Sequence, residues 1–110
     1  MNERSRLILC NSFDENFKEG QEDKDYFLPI FNKVLEKLPD LPIEEAFVDV
    51  SRKLGGIDFN IVLENKVSIS IMEMEELGND AYYSIANEHK IIEIGWMKLD
   101  DIIKKIICQI

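Results

Sequence analysis

The sequence predicts an α+β fold: an antiparallel four-stranded meander of two hairpins, with two preceding helices and a C-terminal helix packed on one face. Three observations carry this reading. Apolar residues recur at intervals of three and four in residues 27–38 and again in 99–110. Between them, residues 59–71 switch to strict alternation, the period of a strand with one buried face. Turn-forming residues separate these segments. A chain of 110 residues with 45% apolar content has the size and composition of one globular domain, residues 1–110.

The elements follow in order. Residues 1–25 have no decisive period, although Phe13 and Phe17 are spaced for one helical face and Leu7–Cys10 forms a short apolar run. The polar stretch from Phe17 to Asp25, broken by Gly20, reads as a loop. Phe27, Ile30, Phe31, Val34, Leu35 and Leu38 then form a helical stripe. Asp25 suits its N-cap, Pro29 falls in the first turn, and Pro39 stops it. A second helix is expected from Asp40 to Gly55-Gly56, with Glu44-Glu45 in its first turn. Ile43, Ala46, Phe47, Val50 and Leu54 form its buried side, and a strand over Ala46–Ser51 is the rival reading.

The first hairpin allows a register argument. A three-residue loop at Glu64–Lys66 pairs Leu63 with Val67, Ile61 with Ile69 and Phe59 with Ile71, making one face apolar throughout. A two-residue loop would set apolar residues against serines. The second hairpin, with a four-residue loop at Asn87–Lys90, pairs Ile85 with Ile92 and Tyr83 with Ile94. That register sends Tyr83 and Trp96 to the core. Asp58, Asn60, Val62, Ser68, Ser70, Met72, Met74, Tyr82, Ser84, Ile91, Glu93 and Met97 then share the opposite face. The last helix buries Leu99, Ile102, Ile103, Ile106, Ile107 and Ile110, with Asp100-Asp101 at its positive end and Lys104-Lys105 further along.

Charge bears most on function. The formal net charge is −9, and residues 57–97 alone hold eight acids against two bases. Such a surface repels nucleic acid and anionic lipid and attracts basic proteins. Catalytic inventory is sparse. His89 stands in a turn without a spaced partner, and Asp100-Asp101 suit a helix start. The cluster Glu73, Glu75, Glu76 and Asp80 is rich in oxygen ligands but lacks the calcium-loop pattern, so neither metal nor cofactor is expected. Cys10 and Cys108 read as free, mostly buried thiols. No apolar run reaches the length of a membrane span or a signal core, which points to the cytoplasm.

These readings converge on a non-catalytic module that binds a basic protein. The candidate contact residues are Met72, Glu73, Met74, Glu75, Glu76, Asp80 and Tyr82: methionines and a tyrosine with an acidic rim. In general type the chain is similar to bacterial immunity proteins, which are small, acidic and block a toxin, often a cationic nuclease. A small acidic secretion chaperone for an effector is the alternative. A carboxylate- or metal-dependent enzyme stands further off.

Overall fold

The computed structural model describes residues 2–18, 23–74, 80–88 and 90–109, with the side chains of Glu73 and Met74 outside the description. The chain forms α1 (Glu3–Asp14), a 3-10 turn (Glu15–Phe17), α2 (Lys24–Lys37), β1 (Ile43–Ser51), β2 (Gly56–Leu63), β3 (Val67–Met74), β4 (Asp80–Asn87), β5 (Lys90–Lys98) and α3 (Leu99–Ile107). The five strands make one antiparallel sheet in chain order, so every neighbour is reached by a simple reversal. The three helices share one face of it, and their apolar sides join the inward residues of the strands in one core.

Helix α1 occupies the stretch that lacked a decisive period. Asn2 caps it by accepting from the Ser5 amide at 2.8 Å. Its apolar contribution is narrow, Leu9 and Phe13, because the neighbouring stripe is polar and has another task. Ser5, Ser12 and Asn16 face the outer edge of β1. The Ser12 hydroxyl accepts from the Val48 amide at 2.7 Å. Asn16 donates to the Val48 carbonyl at 2.9 Å and accepts from the Val50 amide at 3.2 Å. Ser5 donates to the Leu41 carbonyl and accepts from the Ile43 amide, while Arg4 donates to the Ile43 carbonyl. Backbone groups that another strand would otherwise pair are satisfied by side chains.

Helix α2 buries Phe27, Phe31, Val34 and Leu35 as the stripe predicts. It starts earlier than expected, so Pro29 lies in its second turn rather than its first. Asp25, whose carbonyl loses its helical donor to Pro29, is exposed and open to water. Phe13 of α1 stacks on Phe31 of α2 at 4.2 Å, and Phe31 stacks on Phe59 of β2 at 6.0 Å. This aromatic column ties both helices to the sheet.

Two expectations are corrected. The segment expected as a second helix from Asp40 to Gly56 is strand β1, its eight pairings with β2 running from Ile43↔Leu63 to Ser51↔Gly56. Val48 and Val50 are buried, while Phe47 is 61% and Leu54 54% exposed. A helical stripe would have buried Phe47 and Leu54 with Val50. Alternation over 46–50 and the β-branched valines win because β2 offers a full ladder of partners. Gly55, at φ 74°, shapes the turn into β2 instead of ending a helix. The meander therefore has five strands, and the two preceding helices are α1 and α2.

The first hairpin keeps its expected register: Ile61 opposes Ile69 and Phe59 opposes Ile71, with all four buried. The second does not. Asn87 pairs with Lys90 and Ala86 with Ile91, but Ile85 pairs with Glu93, so Ile92 is the extra residue of a bulge. Tyr83 consequently lies opposite Gly95 and Tyr82 opposite Trp96. Trp96, expected in the core, is 56% exposed on the other face, and Ile92 and Ile94 are also exposed. Glu93 and Met97, expected outside, turn to the helix side. Helix α3 then buries Leu99, Ile102 and Ile106, leaves Ile103 half-buried and exposes Ile107; Ile110 lies outside the described residues.

Candidate functional site: the open face of the sheet

Antiparallel partners directly opposite each other point to the same side, so the registers place residues on the uncovered face. One row across the sheet is Phe47, Asn60, Ser70, Ser84 and Ile94. The next is Glu45, Val62, Ser68, Ala86 and Ile91. On the other side of the first row lie the pair Asp49–Asp58 and the trio Met72–Tyr82–Trp96. The middle of the face is thus floored by small residues, and large apolar side chains stand at both edges. Glu45, Phe47, Asn60, Val62, Ser68 and Ser70 line an open trough of about 530 Å³. The Ser70 hydroxyl donates to Asn60 Oδ1 at 3.0 Å across its floor.

The two halves differ chemically. The β1–β2 half carries Glu45, Asp49 and Asp58 around Phe47. The β4–β5 half is apolar, with Tyr82 edge-on against Trp96 at 5.2 Å and Ile94 and Ile91 beside them. Asp80 opposes Lys98 at the end of this half.

Of the candidate contact residues, the structure brings together Met72 and Tyr82, which are directly opposed and half-buried on the open face, with exposed Asp80 two residues along β4. Glu73 and Met74 belong to β3. Glu75 and Glu76 lie outside the described residues, as does His89. Sequence reasoning missed Phe47, Ile94 and Trp96 because it had assigned each to the core. One signal was available: glycine inside a strand marks a close approach. A Cβ at Gly95 would meet the Tyr83 ring at 3.3 Å, so Gly95, not Trp96, shares the inner face with Tyr83.

Comparison with protein-family models, curated proteins and solved structures finds no match.

The ionisable groups with displaced titration sit on the helix side. Lys37 donates to Asp100 at 2.6 Å and holds its carboxyl below the usual carboxylate range. Glu93 pairs with Lys105 at 3.1 Å and holds its ammonium above the usual lysine range. Asp100 and Asp101 lie in the first turn of α3, where the helix dipole favours them. Among the described residues no group of three or more His, Cys, Asp or Glu could hold a metal ion. Cys10 and Cys108 are both free; Cys10 is half-buried, but Cys108 is exposed, against expectation. No described helix is long and apolar enough to cross a membrane.

Proposed function

We propose that this protein is a non-catalytic binding module whose open sheet face receives a basic segment of a partner protein. In its most concrete form it is a toxin-neutralising immunity protein acting in the bacterial cytoplasm. The observation that carries the reading is a sheet face left bare by all three helices, with a trough floored by serines and edged by Phe47 and Glu45, and with exposed Asp49 two residues beyond Phe47 on the same strand face. Small floor residues let a partner's backbone or side chains approach closely. Phe47 supplies an aromatic anchor, and exposed carboxylates complement a cationic ligand and speed its approach. Met72, Tyr82 and Asp80 extend the same surface, and Glu73, Met74, Glu75 and Glu76 complete the proposed contact set.

The test starts with affinity purification from the native cell, followed by binding kinetics of the recovered partner at several ionic strengths. The expected partner is basic at the contact, with association that slows as salt rises. Glu45→Gln/Asp49→Asn should slow association about three- to tenfold, a part of the total 10–10³-fold effect of electrostatic steering, and leave the fold intact. Association that does not change between low and physiological salt would reject the electrostatic reading. Full binding by Phe47→Ala would move the contact off the trough.

A further inference from the structure

The two edges of the sheet are treated differently. The β1 edge is closed by Ser5, Ser12, Asn16 and Arg4, which hydrogen-bond its backbone. β5 ends the sheet on the other side, and no described side chain caps its outer edge in this way. An uncapped strand edge is a template for another strand. Between exposed Lys90 and Lys98 its exposed side chains are apolar: Ile94 is 51% and Trp96 56% exposed.

Charge identifies the occupant. Residues 90–110 hold four lysines against three acids, whereas the rest of the chain holds nine bases against nineteen acids. β5 and α3 therefore form a near-neutral, slightly positive part of an acidic molecule. A basic ligand has no electrostatic reason to choose this edge. A second copy can approach here without bringing its acidic regions into contact. We infer that β5 pairs antiparallel with β5 of a second copy about a two-fold axis at Gly95, joining two sheets into one of ten strands.

The register follows from the side chains. Centring on Gly95 sets Ile94 against Trp96 of the second copy, twice over, on the open face. Glu93 falls against Met97 on the helix face and keeps its bridge to Lys105. Centring one residue earlier, on Ile94, leaves only Glu93–Gly95 in regular pairing before the bulge at Ile92 interrupts the ladder. Centring on Glu93 opposes two carboxylates. The bulge at Ile92 ends regular pairing, so the contact covers Glu93–Met97. Because β1 is capped, the assembly closes as a dimer and cannot grow into a fibre.

Sedimentation equilibrium tests the assembly. At about 100 µM, a concentration suited to a small interface, the protein should show twice its 12.8 kDa chain mass and dissociate on dilution. Trp96 is the single tryptophan, so its fluorescence should shift to the red as the dimer dissociates. Ile94→Lys/Trp96→Lys should halve the mass with an unchanged far-ultraviolet spectrum. A second test does not depend on that variant. In a Cys10→Ala/Cys108→Ser background, a mixture of Ile94→Cys and Trp96→Cys chains should oxidise to a disulfide-linked pair, because opposed strand residues lie within disulfide reach. Ile94→Cys alone should not cross-link. A monomer at every concentration, or a dimer that survives the double lysine variant, would overturn the inference.

Discussion

Gly95 shows how much one residue decides. It lies in the middle of an edge strand, where valine or isoleucine would favour extended backbone. A Cβ at Gly95 would meet the buried Tyr83 ring at 3.3 Å, closer than ordinary van der Waals contact, and a branched side chain would crowd it further. Gly95→Val should therefore destabilise the protein by about 1–3 kcal/mol despite its better strand propensity, as overpacking does. Gly95→Ala should cost less, and urea denaturation of the pair measures both. The exposed pairs Lys37–Asp100 and Lys105–Glu93 have opposite pH signatures. Asp100 titrates below its ordinary range when folded, so its small contribution is present above that range and lost as pH falls through the lowered value. Lys105 titrates above its ordinary range, so its contribution is present below that range and lost as pH rises through the raised value. Stability measured across the acid limb should respond to Lys37→Met, and across the alkaline limb to Glu93→Gln.

At the scale of elements, α1 acts on β1 chiefly through hydrogen bonds. Removing Ser12 and Asn16 together leaves the Val48 and Val50 amides and the Val48 carbonyl without their partners. Ser12→Ala/Asn16→Ala should cost roughly 2–4 kcal/mol, at about 1 kcal/mol or more for each orphaned group. Amide exchange should accelerate at Val48 and Val50 before the rest of the sheet, because the edge opens locally. Helix α3 works by burial instead. Ile106 is fully buried and Ile107 is 53% exposed. Ile106→Asp should abolish folding by placing an unpaired charge under the helix, whereas Ile107→Asp should stay near wild type. Thermal melts of the two variants give a direct comparison. Equal losses would mean that the α3 stripe is as broad as its isoleucines suggest.

At the scale of the whole molecule, charge and apolar surface are segregated. Acids gather around the trough on β1 and β2, and the apolar residues gather on β4 and β5 beside lysines. Two surfaces with different chemistry suit two different contacts: a basic partner on the first and a second copy on the second. If both hold, dimerisation should leave partner association and its salt dependence unchanged, since the acidic half lies away from the seam. Partner kinetics of an uncharged Ile94→Ser/Trp96→Ser variant against wild type check this, because two added lysines would themselves weaken the steering. A large loss of partner binding in that variant would mean that the two contacts share β4–β5.

The sequence by itself determined the α+β class, helices α2 and α3, the first hairpin and its register, and the acidic character. Each rests on a local pattern with one consistent solution. Odd loop length alone makes Phe59, Ile61 and Ile69 agree on a face, and the spacing of Leu99, Ile102 and Ile106 fits only a helix. Tertiary structure decided β1, because Ile43–Leu54 satisfies both periods and only pairing with β2 chooses between them. It decided α1, whose stripe of Ser5, Ser12 and Asn16 looks like a solvent face until a bare strand edge lies beside it. It also decided the second hairpin. A charge at Glu93 argues for the outer face until Lys105 is there to meet it, and one bulged residue then reverses every side chain that follows. Phe47, Ile94 and Trp96 reach the open face for that reason: an apolar side chain states its preference for burial, but the partners across the sheet decide which side it occupies.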